Sequence, residues 1–142
     1  MQIGNGYKEK VVLFKAGQPA NNLYKIDKGN VLCLKYLNGR LIPIYLAGPG
    51  DSIGDETIIA GSNYSYHAVT FTHVEVQIYS SSAFAPDLNR SVSWLKDLLN
   101  TMLERFDHTS NLIAENRLES SYILEPYTSS MEIELKKLLG LK

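Results

Sequence analysis

The 142-residue chain has one cysteine, one tryptophan, no excess of either charge and no apolar run near the ~20 residues of a membrane-spanning helix. Each shortage excludes something. A single thiol, Cys33, cannot form an internal disulfide or supply a zinc or iron–sulfur cluster, and its apolar neighbours mark it as a small core residue. Fourteen Lys and Arg against fifteen Asp and Glu, net −1, leave no electrostatic footprint for DNA. The opening Met1-Gln2-Ile3-Gly4-Asn5-Gly6 lacks signal-peptide character, which with the lone thiol points to a reducing, cytoplasmic setting without membrane contact. Catalytic signatures are missing as well: there is no G-x-S-x-G elbow, no phosphate-binding G-x-x-x-x-G-K-[ST] loop and no Cys–His arrangement. His67, His73 and His108 show no metal-ligand spacing, so the expectation is a non-enzyme with no cofactor and no metal. The longest gap is in cations, for no Lys or Arg occurs between Arg40 and Arg90.

What is present falls into two periodicities. From residue 11 to about 79, short β-branched and aromatic runs alternate with turn residues: Val11 to Phe14, Leu23 to Ile26, Val31 to Leu37, Leu41 to Leu46, Tyr66 to Phe71 and Val74 to Tyr79. Asn38-Gly39 predicts a type I′ hairpin joining the third and fourth runs, because both residues tolerate positive φ. Alternation in the last run places Val74, Val76 and Ile78 on one buried face. Strands of this number and spacing predict a sandwich, jelly roll or barrel.

After Ser80-Ser81-Ser82 the period becomes helical. Val92, Leu95, Leu99, Met102, Phe106, Thr109, Ile113 and Asn116 form a heptad seam. A helix over 92–116 is ~38 Å long, more than a small β-domain needs as cover, so the seam predicts a homodimer with Phe106 at its axis. The alternative uses Leu98, Leu103 and Leu112, which lie off the seam and could hold the helix against its own sheet. Pro126 ends this helix at Leu124 or Glu125, and a final helix follows, capped by Ser129 or Ser130, with Met131, Leu135, Leu138 and Leu139 as its stripe.

A β-roll followed by a long dimerising helix resembles the cyclic-nucleotide-binding effector domain of the catabolite activator and fumarate–nitrate regulator family. The residues that carry the resemblance are Phe14-Lys15-Ala16-Gly17-Gln18, Leu23-Tyr24-Lys25-Ile26 and Lys28-Gly29-Asn30-Val31, then Gly48-Pro49-Gly50-Asp51-Ser52-Ile53-Gly54-Asp55, similar to the family's P-G-D-x-(F/I)-G-E turn. His67-Ala68-Val69 follows at the family's distance, and 102–110 resembles its central helix, Thr109-Ser110 included. The resemblance implies a β-roll (double-stranded jelly roll) over 1–88, a long dimerisation helix over 89–125 and a helical tail over 126–142. It also implies a ligand pocket at Gly54, Asp55, Glu56, Ser65, Tyr66, His67, Thr109 and Ser110, in which a Gly-Glu turn holds the cyclic phosphate, an Arg before an Ala neutralises it, the Glu takes the ribose hydroxyl, and the Thr-Ser pair reads the purine.

Two departures have physical consequences. The position of the family's Arg holds Tyr66, or Ser65 by ungapped counting, while Asp51, Asp55 and Glu56 crowd the turn with His67 as the one candidate cation nearby. Losing one partner of a buried charge pair costs about 2–5 kcal/mol, or roughly 30-fold to several thousand-fold in affinity. Tight cyclic-nucleotide binding is therefore not expected, and Tyr64 and Tyr66 are expected to fill a collapsed pocket. Second, the sequence ends at Leu138-Leu139-Gly140-Leu141-Lys142 with no recognition helix, so no DNA partner is expected. The expectation is a non-catalytic homodimeric scaffold or adaptor that engages another signalling protein through the β-roll surface and the tail. A tail stripe folded back on the long helix is the competing expectation. A small-ligand sensor, for a cyclic nucleotide or another metabolite, is the alternative function. A truncated effector domain of a transcription regulator is a third, against which Met1 just ahead of the first strand and the natural-looking end both argue.

Overall fold

A computed structural model describes residues 2–58, 61–82, 93–116 and 127–142. Eight strands form two antiparallel four-stranded sheets: β1 (Gln2–Tyr7), β2 (Val12–Phe14), β3 (Asn22–Lys28), β4 (Val31–Leu37), β5 (Arg40–Ala47), β6 (Ser52–Ile53), β7 (His67–Thr70) and β8 (Val74–Ser80). The orders are β1-β8-β3-β6 and β2-β7-β4-β5. A 3-10 turn, Asp55–Ile58, follows β6, and the described residues include two α-helices, α1 (Ser93–Asn116) and α2 (Ser129–Leu139). All six strands expected from the runs are there. The chain also makes β1, hidden because Gly4 and Gly6 interrupt any run of strand-forming side chains, and β6, only two residues long. Val92 and the expected continuation of the helix to Leu124 or Glu125 lie outside the described residues.

Hydrophobic alternation sorts the strands onto faces. Val31 and Cys33 of β4 point between the sheets with Ile26, Ile42, Ala68, Val74 and Val76, while Leu32 and Leu34 point outward with Leu41 and Val69. Asn38 and Gly39 both have positive φ, 52° and 77°, and close the β4–β5 hairpin as the turn chemistry requires. β5 is an edge strand, and it carries Pro43, a residue sheets accept at edges because it has no N–H to give a neighbour.

Both helices pack in ways that correct the expectations. Thr128, not Ser129 or Ser130, caps α2: its extended backbone turns its Oγ1 to accept the Met131 N–H at 3.2 Å. The tail folds back not on the long helix but on the outer face of the β2-β7-β4-β5 sheet, where Leu135 and Leu139 join Leu32, Leu34, Leu41 and Val69. Leu138 is exposed. Glu132, itself buried, accepts from Arg40 Nε and Nη2 at 2.8 and 2.9 Å and from the Leu41 N–H at 3.0 Å. Tyr127 donates its hydroxyl to the Leu41 carbonyl at 2.6 Å. The N–H and C=O of Leu41, at the open edge of β5, are thus both satisfied by the tail, which leaves that point of the edge without a free donor or acceptor for another strand.

α1 docks on β4 and β5 with Ser110 and Ala114 buried and Phe106 and Ile113 packed against the core between the sheets. The heptad seam therefore splits. Phe106 and Ile113 serve the chain's own core, Leu95 and Leu99 are half-buried, and Met102 and Thr109 are exposed. The off-seam leucines do not form the docking face either: Leu98 and Leu112 are exposed and Leu103 is half-buried. Trp94, Leu98 and Met102, spaced by four, make an apolar stripe at the solvent with exposures of 66%, 45% and 56%. The shift from the heptad reading follows from the roll itself, whose inner face takes the bulky Phe106 that a coiled coil would have used.

Candidate functional site

The site begins with the turn between β5 and β6. Asp51 Oδ2 accepts the Gly48 N–H at 2.8 Å and the Tyr45 hydroxyl at 2.9 Å, while Gly50 and Asp51 exchange backbone bonds with Ile26 of β3. This fixes the entry to Gly54, whose φ of +83° puts it in the left-handed region and whose missing side chain leaves room that a Cβ would lose to the Asn22 carbonyl at 2.8 Å. The 3-10 turn Asp55–Ile58 starts here, next to the buried Gly54 N–H.

That N–H already has an acceptor. The Tyr66 hydroxyl oxygen takes it at 2.8 Å. Tyr66 is 2% exposed; its ring lies edge-on to Phe14, centroids 5.2 Å apart, and edge-on to Phe106 of α1 at 5.8 Å. Tyr64 stacks on Phe14 at 3.9 Å and both donates to and accepts from the Asn22 backbone. Burial pushes the Tyr66 phenol well above its ordinary range, so the oxygen remains a neutral acceptor.

The acids of the turn have different fates. Glu56 Oε1 accepts from the Ser65 hydroxyl at 2.6 Å and its N–H at 3.3 Å, whereas Glu56 Oε2 and the Thr57 hydroxyl are buried without a hydrogen-bond partner. Burial, with the Glu56 charge beside it, pushes Asp55 up to about 6. Cys33 is buried in the core as expected, and burial, reinforced by the Asp55 charge, pushes its thiol upward and leaves it unreactive.

The site residues expected from the sequence are only partly brought together. Gly54, Asp55, Glu56, Ser65 and Tyr66 share one neighbourhood. His67 alternates to the outer face of β7, opposite Leu34, and its Nδ1 accepts the Ala16 N–H at 3.2 Å. Burial, and the Lys15 charge beside it, lower its pKa, so His67 is neither in the pocket nor a cation there. Ser110 faces the roll but spends its hydroxyl on the Asp107 carbonyl at 3.0 Å, and Thr109 points to solvent, so the pair does not act together. One functional residue escaped the sequence reading. Lys35, buried on the inner face of β4, holds Asp107 Oδ1 at 2.7 Å and Asn111 Oδ1 at 2.6 Å, one turn apart on α1. Its signal was the alternation Val31, Cys33, Lys35, which puts a charge where a strand should be apolar.

A cyclic nucleotide-binding domain matches residues 6–90, more than half of the sequence. The chain belongs to the cyclic nucleotide-binding domain family. Among solved structures, the EAL enzyme Bd1971 in its cAMP-bound form is similar with a TM-score of 0.71 and 19% identity, over 82% of this chain and 31% of that one. A triple mutant of the regulatory subunit of a cAMP-independent protein kinase A from Trypanosoma brucei, with cAMP in its A site, gives 0.61 and 17%, over 83% and 41%. The sensor domain of the transcriptional regulator DNR from Pseudomonas aeruginosa gives 0.58 and 16%, over 73% and 74%. At these identities the likeness establishes the fold, and the chain spans less than a third of the Bd1971 enzyme's length. No curated protein sequence matches it. Among the described residues, no helix of this domain is long and apolar enough to cross a membrane, and no three His, Cys, Asp or Glu side chains group to hold a metal.

Proposed function

We propose that this cyclic-nucleotide-binding-like domain is a non-catalytic, cytoplasmic, homodimeric scaffold or adaptor for another signalling protein and does not bind cyclic nucleotides tightly. The observation that carries this reading is the Tyr66 hydroxyl on the Gly54 N–H. In the family that turn is where the cyclic phosphate would sit; here a side chain of the domain occupies the donor, aromatic rings fill the space behind it, and the adjacent groups are carboxylates. Lys35, the buried cation on the inner face, is committed to α1. A phosphate would have to displace Tyr66 and then meet Asp55 and Glu56 with no cation among the described residues paired to either carboxylate. The exposed stripe of Trp94, Leu98 and Met102 supports pairing with a second copy. The tail is a weaker candidate for a partner, since Leu135 and Leu139 are used inside the molecule. Titration calorimetry with cAMP and cGMP tests the pocket: binding weaker than low micromolar is expected, and binding at or below it overturns the reading.

A second reading is favoured by the buried, unpartnered Glu56 Oε2 and Thr57 hydroxyl. Such groups are costly unless something donates to them, so a sensor for an uncharged or amine-bearing metabolite fits this turn better than a phosphate sensor. Thermal shift by such compounds, abolished in Glu56→Gln, would support it.

A further inference from the structure

We propose that Tyr66 is an internal stand-in for a ligand, and that it couples the Gly54 turn to the docking of α1 so that anion binding and helix docking oppose one another. The inference rests on the reading that Tyr66 occupies the phosphate position. Its basis is that one rigid side chain serves both places: the hydroxyl takes the Gly54 N–H at 2.8 Å, and the ring of the same residue lies 5.8 Å from the Phe106 ring at an interplanar angle of 69°. Between hydroxyl and ring there is no rotatable bond that could let one contact go and keep the other. The turn has little room to follow a moving hydroxyl, because the Asn22 carbonyl and the Tyr64 ring crowd one side of Gly54 closely enough to bar even a Cβ. Phe14, stacked on Tyr64 and edge-on to Tyr66, blocks the ring from sliding back.

An anion oxygen that claims the Gly54 N–H must therefore swing Tyr66 about its Cα–Cβ bond, since turning about Cβ–Cγ leaves both the hydroxyl oxygen and the ring centre on the axis, and that movement carries the ring away from Phe106. Lys35 with Asp107 and Asn111 still tethers the helix, so the result is a loosened rather than a detached α1. Linkage makes the coupling reciprocal: whatever loosens α1 at Phe106 must free the Gly54 N–H to the same degree.

Hydrogen exchange on the full chain without ligand reads both directions. In Tyr66→Leu the amides of 103–114 are expected to exchange about fivefold faster or more, in the range of ordinary site-to-site coupling. In Tyr66→Phe, which keeps the ring, the Gly54 amide loses protection and the helix does not. In Phe106→Leu, far from the turn in sequence, the Gly54 amide is expected to lose protection. Unchanged helix exchange in Tyr66→Leu, or unchanged Gly54 protection in Phe106→Leu, overturns the coupling; if Tyr66→Leu fails to fold, the Phe106→Leu arm decides alone. Adding millimolar cAMP to the parent separates the two ideas. Tight binding with a fully protected helix overturns the occupied-phosphate reading and the coupling with it. Weak binding that speeds exchange in 103–114 supports both, and weak binding beside uncoupled variants leaves the reading standing without the coupling.

Discussion

Asp55 is the residue whose charge the fold resists. Its carboxyl is raised from 3.8 to about 6 by burial first and by Glu56 second. The proton is therefore held more tightly in the folded state: the favourable contribution is complete below the ordinary value and is lost as pH rises through about 6. A rise from 3.8 to about 6 corresponds to roughly 3 kcal/mol. Asp55→Asn should accordingly gain stability at pH 8, up to about 2–3 kcal/mol, and little at pH 4, in urea unfolding at the two pH values. A gain equal at both would show that packing, not charge, is responsible. Much of this neighbourhood was legible from residue types. The cation gap after Arg40, the acids of the turn and the tyrosines flanking it read directly from the sequence, and the structure brings Gly54, Glu56, Ser65 and Tyr66 together at that turn. The partner of each side chain was not legible. His67 is one position from Tyr66, and strand alternation sends it to the opposite face; Ser110 could have faced a ligand, yet its hydroxyl finds its own helix backbone first.

Among the elements, α2 is the one whose role changes most between sequence and structure. Its apolar spacing is plain in Met131, Leu135 and Leu139, but spacing says only that a face will be covered, not by what. Charge decided the partner: Arg40 at the start of β5 meets Glu132 in a two-nitrogen contact, and the same carboxylate receives the Leu41 N–H. Glu132→Ala leaves that edge N–H unmet in a buried place, a loss of about 1–3 kcal/mol, which lowers the melting temperature by roughly 4–12 °C at pH 7. The Arg40 contact holds the Glu132 carboxyl below its ordinary 4.5. Its contribution is thus complete above that value and declines as pH falls through the lowered one, so the melting gap between parent and variant should narrow in acid. A gap constant from pH 7 to strongly acidic conditions would assign the effect to lost packing. For α1 the helical period was legible and the orientation was not, because Phe106 satisfies a coiled-coil seam and a sheet cover equally well, and only the presence of Tyr66 beneath it settles which.

At the scale of the whole molecule, the described residues of α1 carry an exposed apolar stripe at Trp94, Leu98 and Met102. In the proposed homodimer, Met102→Glu would place like charges across the helix pair and should cost several kcal/mol of association, about 3–5 where the charges are desolvated. Light scattering is expected to give a dimer for the parent and a monomer for the variant, with the melting of the roll little changed; a monomeric parent removes the dimer. Phe106→Glu, the substitution the heptad seam points to, would instead introduce a charge beside Tyr66 inside the roll. The edge of β5 carries a further consequence, in time rather than in space. Leu41 and Glu132 are 91 residues apart. At the ribosome's usual 5–20 residues per second, β5 is made roughly 5–18 s before the carboxylate that seals it. During that interval the Leu41 N–H and C=O stay open at the edge of the nascent hairpin, a donor and an acceptor that another strand can pair with until the tail arrives.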